Sequence, residues 1–137
     1  MARYRLSAPA KADIVAVLRT SEAMHGAEAR IRYRGLLTAA MRRVAACPEG
    51  RLTIGCGTLF EGMRSFHIRH SRDESREARV AEPVHVIFYR LAEPGVVEIV
   101  RVLHERMEPG RYSPASAKAS RRAADVTRPI EWSAGRL

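Results

Sequence analysis

Lysine is almost missing from this 137-residue chain, since Lys11 and Lys118 are its only two and arginine carries nearly all the positive charge. Cysteine is scarce as well. Eight residues separate Cys47 from Cys56, and no second Cys or His pair stands at ligand spacing. That spacing excludes the usual zinc frameworks and a CxxC redox site, and leaves two thiols expected to be buried or half-buried. A disulfide between them is not expected in a reducing compartment. No apolar run approaches the length that spans a bilayer, and no signal pattern opens at Met1-Ala2-Arg3-Tyr4, so the expected compartment is the cytoplasm. No internal repeat is visible. What remains is a chain of single-domain length, 46% hydrophobic and 28% charged, with the composition of a globular protein.

The charge is lopsided: 24 Lys and Arg face 15 Asp and Glu, for a net of +9. Such a balance points to an acidic partner, either nucleic acid or a protein segment rich in carboxylates, and does not choose between them.

The core is legible in His85–Met107. Two runs rich in β-branched and aromatic residues, His85–Leu91 and Val96–His104, flank the link Ala92-Glu93-Pro94-Gly95 and predict a β-hairpin. The second run is apolar on both faces, with Val96, Val100 and Val102 on one side and Val97, Ile99 and Leu103 on the other. Such a strand belongs in the middle of a sheet. Upstream, Tyr4-Arg5-Leu6 reads as a brief strand. Ser7 is placed to cap a helix with Pro9 in its first turn. Ile14, Val17 and Leu18 supply one apolar stripe, and the segment Thr20-Ser21 to His25-Gly26 ends the helix. A second helix is predicted over 27–46, burying Tyr33, Leu37, Ala40, Met41 and Val44 and closed by Cys47-Pro48. Gly35 costs this helix about 1 kcal/mol relative to alanine, so it depends on packing. Residues 49–58 read as a surface loop and 63–70 as a strand. Residues 71–82 read as a solvated charged insertion whose one large apolar residue is Val80. Residues 114–137 carry few large apolar side chains and a charge of +3, and are expected to form a flexible basic tail. The order is strand, helix, helix, strand, strand, strand: an α+β fold with a helical hairpin on one sheet face and the other face left open for binding.

Several stretches resemble ParE toxins of the RelE/ParE superfamily of type II toxin–antitoxin systems. They are R-Y-R-L-S-x-x-A-K-A-D-I at 3–14, M-R-S-F at 63–66, H-V-I-F-Y-R-L at 85–91 and V-R-V-L-H-E-R-M within 99–107. The resemblance covers roughly residues 3–112 in order, giving a toxin domain over 1–113. It implies a β-α-α-β-β-β fold with a mainly antiparallel sheet. It also implies a ParD-like antitoxin whose C-terminal segment wraps the toxin, and DNA gyrase as a target inhibited by binding. No metal and no cofactor are implied. Direct nucleic-acid binding is not expected without the antitoxin. Two departures stand out: the insertion at 71–82, where the family connects its strands tightly, and the longer tail.

The residues expected to meet antitoxin or target are Arg64, Arg69, Arg90, His104, Arg106, Met107 and Tyr112. The alternative is a RelE-type, ribosome-dependent ribonuclease. It would draw on Arg64, Arg90, His104 and Arg106, with Arg69, Arg101 and Tyr112 as further candidates. His104 would be a general acid and Arg106 a phosphate holder. A third reading makes the arginine-studded second helix a nucleic-acid or anionic-membrane surface. His67, His70 and His85 lack a carboxylate or Cys at ligand spacing, so no metal site is expected. Phe88 and Tyr89 are expected in the core.

Overall fold

The computed structural model describes residues 3–56, 62–77 and 79–107. Five strands form one sheet: β1 (Arg3–Leu6), β2 (Ile54–Gly55), β3 (Met63–His67), β4 (His85–Glu93) and β5 (Val96–His104). Their spatial order is β1-β5-β4-β3-β2. β1 runs parallel to β5, and every other neighbour is antiparallel. Two helices, α1 (Ala8–His25) and α2 (Ala27–Ala46), separate β1 from β2. This is the α+β arrangement expected, with one extra short strand.

The helices form where the sequence places them. The Ser7 hydroxyl accepts from Ala10 N–H at 3.0 Å and so caps α1, with proline in the first turn. Gly26, at φ 97°, ends α1 and opens α2, a backbone conformation that favours glycine. Leu18 of α1 and Tyr33, Leu36, Leu37, Ala40, Met41 and Val44 of α2 pack against Phe66, Ile87, Tyr89, Val97, Ile99 and Val102 of the sheet. The helical hairpin therefore covers one sheet face. Among the described residues no helix is long and apolar enough to cross a membrane.

Several expectations are corrected. The hairpin link is a two-residue turn, Pro94-Gly95, because the first strand extends to Glu93 and Gly95 takes a φ of 79°, while the second strand has the bounds expected. A bulge near Val100 shifts the alternation of β5. Val102 consequently joins Val97 and Ile99 in the helix-covered core, and Leu103 turns to the other face. That other face is not bare: Met63 and Leu103 are 4% and 1% exposed, and Val86 and Phe88 are half-buried. The loop read at 49–58 contains β2, which pairs with Arg64 and Ser65. β3 stops at His67, whose imidazole accepts from Arg69 N–H, and Ile68–Ser71 turns as a 3-10 helix that buries Ile68. Cys47 is exposed and Cys56 half-exposed. Residues 71–82 are tied to the body. A β-carbon on Gly35 would lie 2.6 Å from Glu77 Cγ, Arg43 holds Glu74 at 2.7 Å, and Val80 packs on the core. Gly35 thus lets this segment approach α2. The tail expected at 114–137 lies outside the described residues.

A buried ion pair closes the sheet edge where β1 runs out. Past the last pair, Leu6 with Ile99, the Ser7 hydroxyl donates to Val100 O at 2.8 Å. Asp13 then accepts Val102 N–H at 2.9 Å and takes Arg101 through two bonds of 2.8 and 2.9 Å. Asp13 and Arg101 are only 1% and 5% exposed. Removing one member of such a pair costs far more than the pair contributes net. Asp13→Ala is expected to lower stability by about 3–5 kcal/mol, read as a drop in the urea midpoint at unchanged slope.

Candidate functional site

The residues singled out in the sequence fall at two opposite ends of the sheet. At the first end, Arg64 sits on β3 and donates through Nε and Nη2 to Thr53 Oγ1 at 3.1 and 2.7 Å, bracing the turn before β2. Arg90 on β4 holds Glu98 of β5 at 2.8 and 2.6 Å, and Glu98 also faces Arg5 at 3.8 Å. Tyr89 lies in the core with its hydroxyl donating to Pro48 O, and burial raises its pKa.

At the second end, β4 begins with His85, which pairs across the ladder with His104, the last residue of β5. Their rings stand edge to face, 5.6 Å between centroids. Glu105, Arg106 and Met107 follow, and Arg69 is exposed on the neighbouring 3-10 turn. The Arg106 guanidinium is exposed and has no ion-pair partner among the described residues. Tyr112 lies outside the described residues.

A hydrogen-bond relay fixes the imidazoles here. Val84 N–H donates to the Tyr33 hydroxyl at 3.1 Å, so that hydroxyl gives its own proton to His85 Nδ1 at 2.7 Å. His104 Nδ1 accepts Arg106 N–H at 3.1 Å, and His67 Nδ1 accepts Arg69 N–H at 3.1 Å. Each imidazole is therefore assigned its proton on Nε2 when neutral, and that of His67 reaches Glu105 at 2.7 Å. Burial, then the neighbouring His104 and His67, pulls the His85 pKa down to about 4 despite Glu105. Burial also pushes the Tyr33 hydroxyl up to about 12, against the Val84 N–H. The bond from His67 lowers the Glu105 carboxyl. Burial and then Arg69 lower His70. At neutral pH His85 is thus an uncharged acceptor and Tyr33 a donor, and the two hold position.

The ribonuclease set is not brought together. Arg90 stands five residues further along β4 than His85, a distance of roughly 17 Å. Arg64 and Arg90 therefore share no site with His104 and Arg106. Arg101 is committed to Asp13. Among the described residues no group of three His, Cys, Asp or Glu could hold a metal ion. What the second end does offer is a cleft of about 910 Å³ between the turn end of the helical hairpin, residues 79–85 and the end of β5. Val17, Met24, Val80, Val102 and Met107 line it, with His85 and His104 in one wall.

Comparison with known proteins agrees with this architecture. The family described as the ParE toxin of the type II toxin–antitoxin system parDE matches residues 4–109. The chain belongs to the ParE toxin family. Toxin ParE1 from Caulobacter vibrioides is 36% identical over 108 residues, covering 78% of this chain and 93% of that protein. In this ParE-family chain the matched region takes in both sheet ends and the whole insertion.

Three groups at the site were not assigned roles from sequence: Asp13, Tyr33 and Glu105. Asp13 carried a signal, being a charge at helical spacing among Ala10, Ile14 and Val17. Arg101 is its mirror image, a charge among Ile99, Val100, Val102 and Leu103 in an otherwise apolar stretch of β5.

The His85 pKa has a consequence for stability. Below its ordinary value of 6.5 the unfolded chain takes up a proton that the folded chain refuses until about 4. This contribution is therefore complete above pH 6.5 and is lost as pH falls through the window, by about 3 kcal/mol in total. Urea midpoints between pH 7 and 4 check it: the fall is expected to be shallower in His85→Phe than in wild type.

Proposed function

We propose that this ParE-family protein inhibits DNA gyrase by binding it, without metal or cofactor, and is neutralised in the cytoplasm by a ParD-like antitoxin. The toxin domain spans 1–113. The observation supporting a binding mechanism is the separation of Arg64 and Arg90 from His104 and Arg106, which leaves that pair without the other two arginines of the ribonuclease set. An exposed Arg106 with no ion-pair partner among the described residues, beside an apolar cleft, suits recognition better than cleavage. Arg69, His104, Arg106 and Met107 are proposed to meet the partner at this end, together with Tyr112. Arg64 and Arg90 are proposed to contribute at the far end by exchanging Thr53 and Glu98 for partner carboxylates. Exposed ion pairs of the Arg90 kind contribute only about 0–1 kcal/mol, so such an exchange costs little.

Induction in a host cell, with and without the adjacent antitoxin gene, tests the reading. The expected outcome is growth arrest with a DNA-damage response, relieved by the antitoxin, and purified gyrase accumulating cleaved, protein-linked DNA. Transcripts cut on the ribosome with gyrase unaffected would instead establish the ribonuclease. Salt-sensitive binding to bare duplex as the sole activity would establish a nucleic-acid module.

A further inference from the structure

A second groove, of about 840 Å³, runs between α2 and the inserted segment 71–82. Arg34 and Arg42 line it from α2, with Gly35, Thr38 and Ala39 between them. Eight residues of helix put the two arginines about 12 Å apart along the axis, so each can meet a different anion. The three small residues keep the floor between them low, and Thr38 adds a hydroxyl donor. Arg76 lines the same groove from the insertion.

The carboxylates here do not balance the cations. Glu74 is taken by Arg43 at 2.7 Å. Glu77 is then left against Arg34, Arg42 and Arg76, which are exposed and have no ion-pair partner among the described residues. The excess continues past the groove. Arg43 lies 5.7 Å over the Phe66 ring, and Phe66 meets the His70 ring at 5.5 Å. Arg69, on the same 3-10 turn as His70, is exposed and likewise has no ion-pair partner among the described residues. Burial, then Arg69, His67 and Arg43, lower the His70 pKa, so positive charge crowds this edge of the protein.

What the groove lacks selects the occupant. Ile31 is its one large apolar side chain, and the apolar stripe of α2 is spent on the sheet. A protein partner would find no pocket for an anchoring side chain, and a bilayer no apolar face to take up. No aromatic ring lines the groove, so unstacked bases of a single strand have no platform. A second copy of the chain would bring +9 against it. The phosphate backbone of a duplex needs only what is present: spaced guanidinium groups, and small residues that let it come close.

We propose that the groove between α2 and the insertion grips the phosphate backbone of duplex DNA, with Arg34, Arg42 and Arg76 as its contacts. Such contacts position a protein on DNA without reading sequence. The choice of DNA rests on the gyrase reading above, whose target carries duplex DNA. It departs from the expectation that DNA is met only through the antitoxin. The insertion supplies Arg76, and Gly35 lets that segment approach α2 closely enough to share a groove with it.

The test is the anisotropy of a labelled mixed-sequence DNA duplex titrated with the full chain, without antitoxin, over a range of salt. Three phosphate contacts predict a slope of about −2.7 or steeper in log K against log salt. Arg34→Ala, Arg42→Ala and Arg76→Ala are each expected to reduce that slope by about 0.9, and the triple variant to weaken binding about tenfold or more. Arg19→Ala removes an exposed arginine of α1 outside the groove and is expected to leave the slope unchanged. All four side chains are exposed, and circular dichroism confirms folding. Equal changes in all four single variants would reduce the attraction to net charge and overturn the proposal. Tighter binding to single-stranded RNA or to phosphatidylserine vesicles than to the duplex would overturn it too. Cleaved, protein-linked DNA accumulating on gyrase with a wild type that binds no duplex would overturn the proposal and leave the gyrase reading standing. Duplex binding lost in the triple variant, by a wild type that leaves gyrase unaffected, would support the groove and overturn the gyrase reading.

Discussion

The structure depends on one carboxylate. β1 pairs with β5 only as far as Leu6, and beyond that point β5 would present unpaired amides along its edge. Asp13, reaching from α1, takes over: it accepts Val102 N–H and clamps Arg101 in the same contact. One side chain thereby fixes the helix against the strand and closes the edge. Desolvation offsets most of the attraction between the two charges, so the pair contributes position more than net stability. The position matters because Val102 and His104, just past the clamp, form part of the cleft wall.

The two ends of the sheet differ in what surrounds their arginines. At the Arg64 and Arg90 end, the guanidinium groups are occupied within the chain by Thr53 and Glu98. At the His104 end, burial keeps His85 neutral and the Tyr33 hydroxyl, fixed by Val84 N–H, holds its ring, while Arg106 remains exposed. A site built this way has a neutral His85 in one wall, Arg32 and Arg79 in others, and an exposed Arg106 next to its lining residue Met107. It resembles a docking cleft more than a centre for proton transfer, and it fits a family whose members are toxins held in check by a partner.

Much of this fold could be read in the chain. The Ser7 cap, the two amphipathic helices and the β4–β5 hairpin each carry a local signal that tertiary packing did not override. What escaped was non-local. Two residues are too few for β2 to show a period, and a bulge at Val100 cannot be seen in an alternating apolar run. The insertion looked solvated because its charges are conspicuous, whereas its anchorage depends on an absent side chain at Gly35. The site was half legible. His104 to Met107 stood out at the end of a core strand, but Arg64 and Arg90 were grouped with them because sequence does not show which sheet end a residue occupies. Tyr33 was placed in the core from its spacing, and nothing in that spacing tells where a phenol hydroxyl points.

The central claim is that partners meet this protein at the His104 end of the sheet. Imidazole resonances of His85 and His104, followed by NMR as antitoxin is added to the full chain, test it most directly. The account predicts that both move on binding while the Thr53 and Arg64 signals change much less. Shifts confined to Thr53, Arg64 and Arg90, with the two imidazoles unmoved, would contradict it.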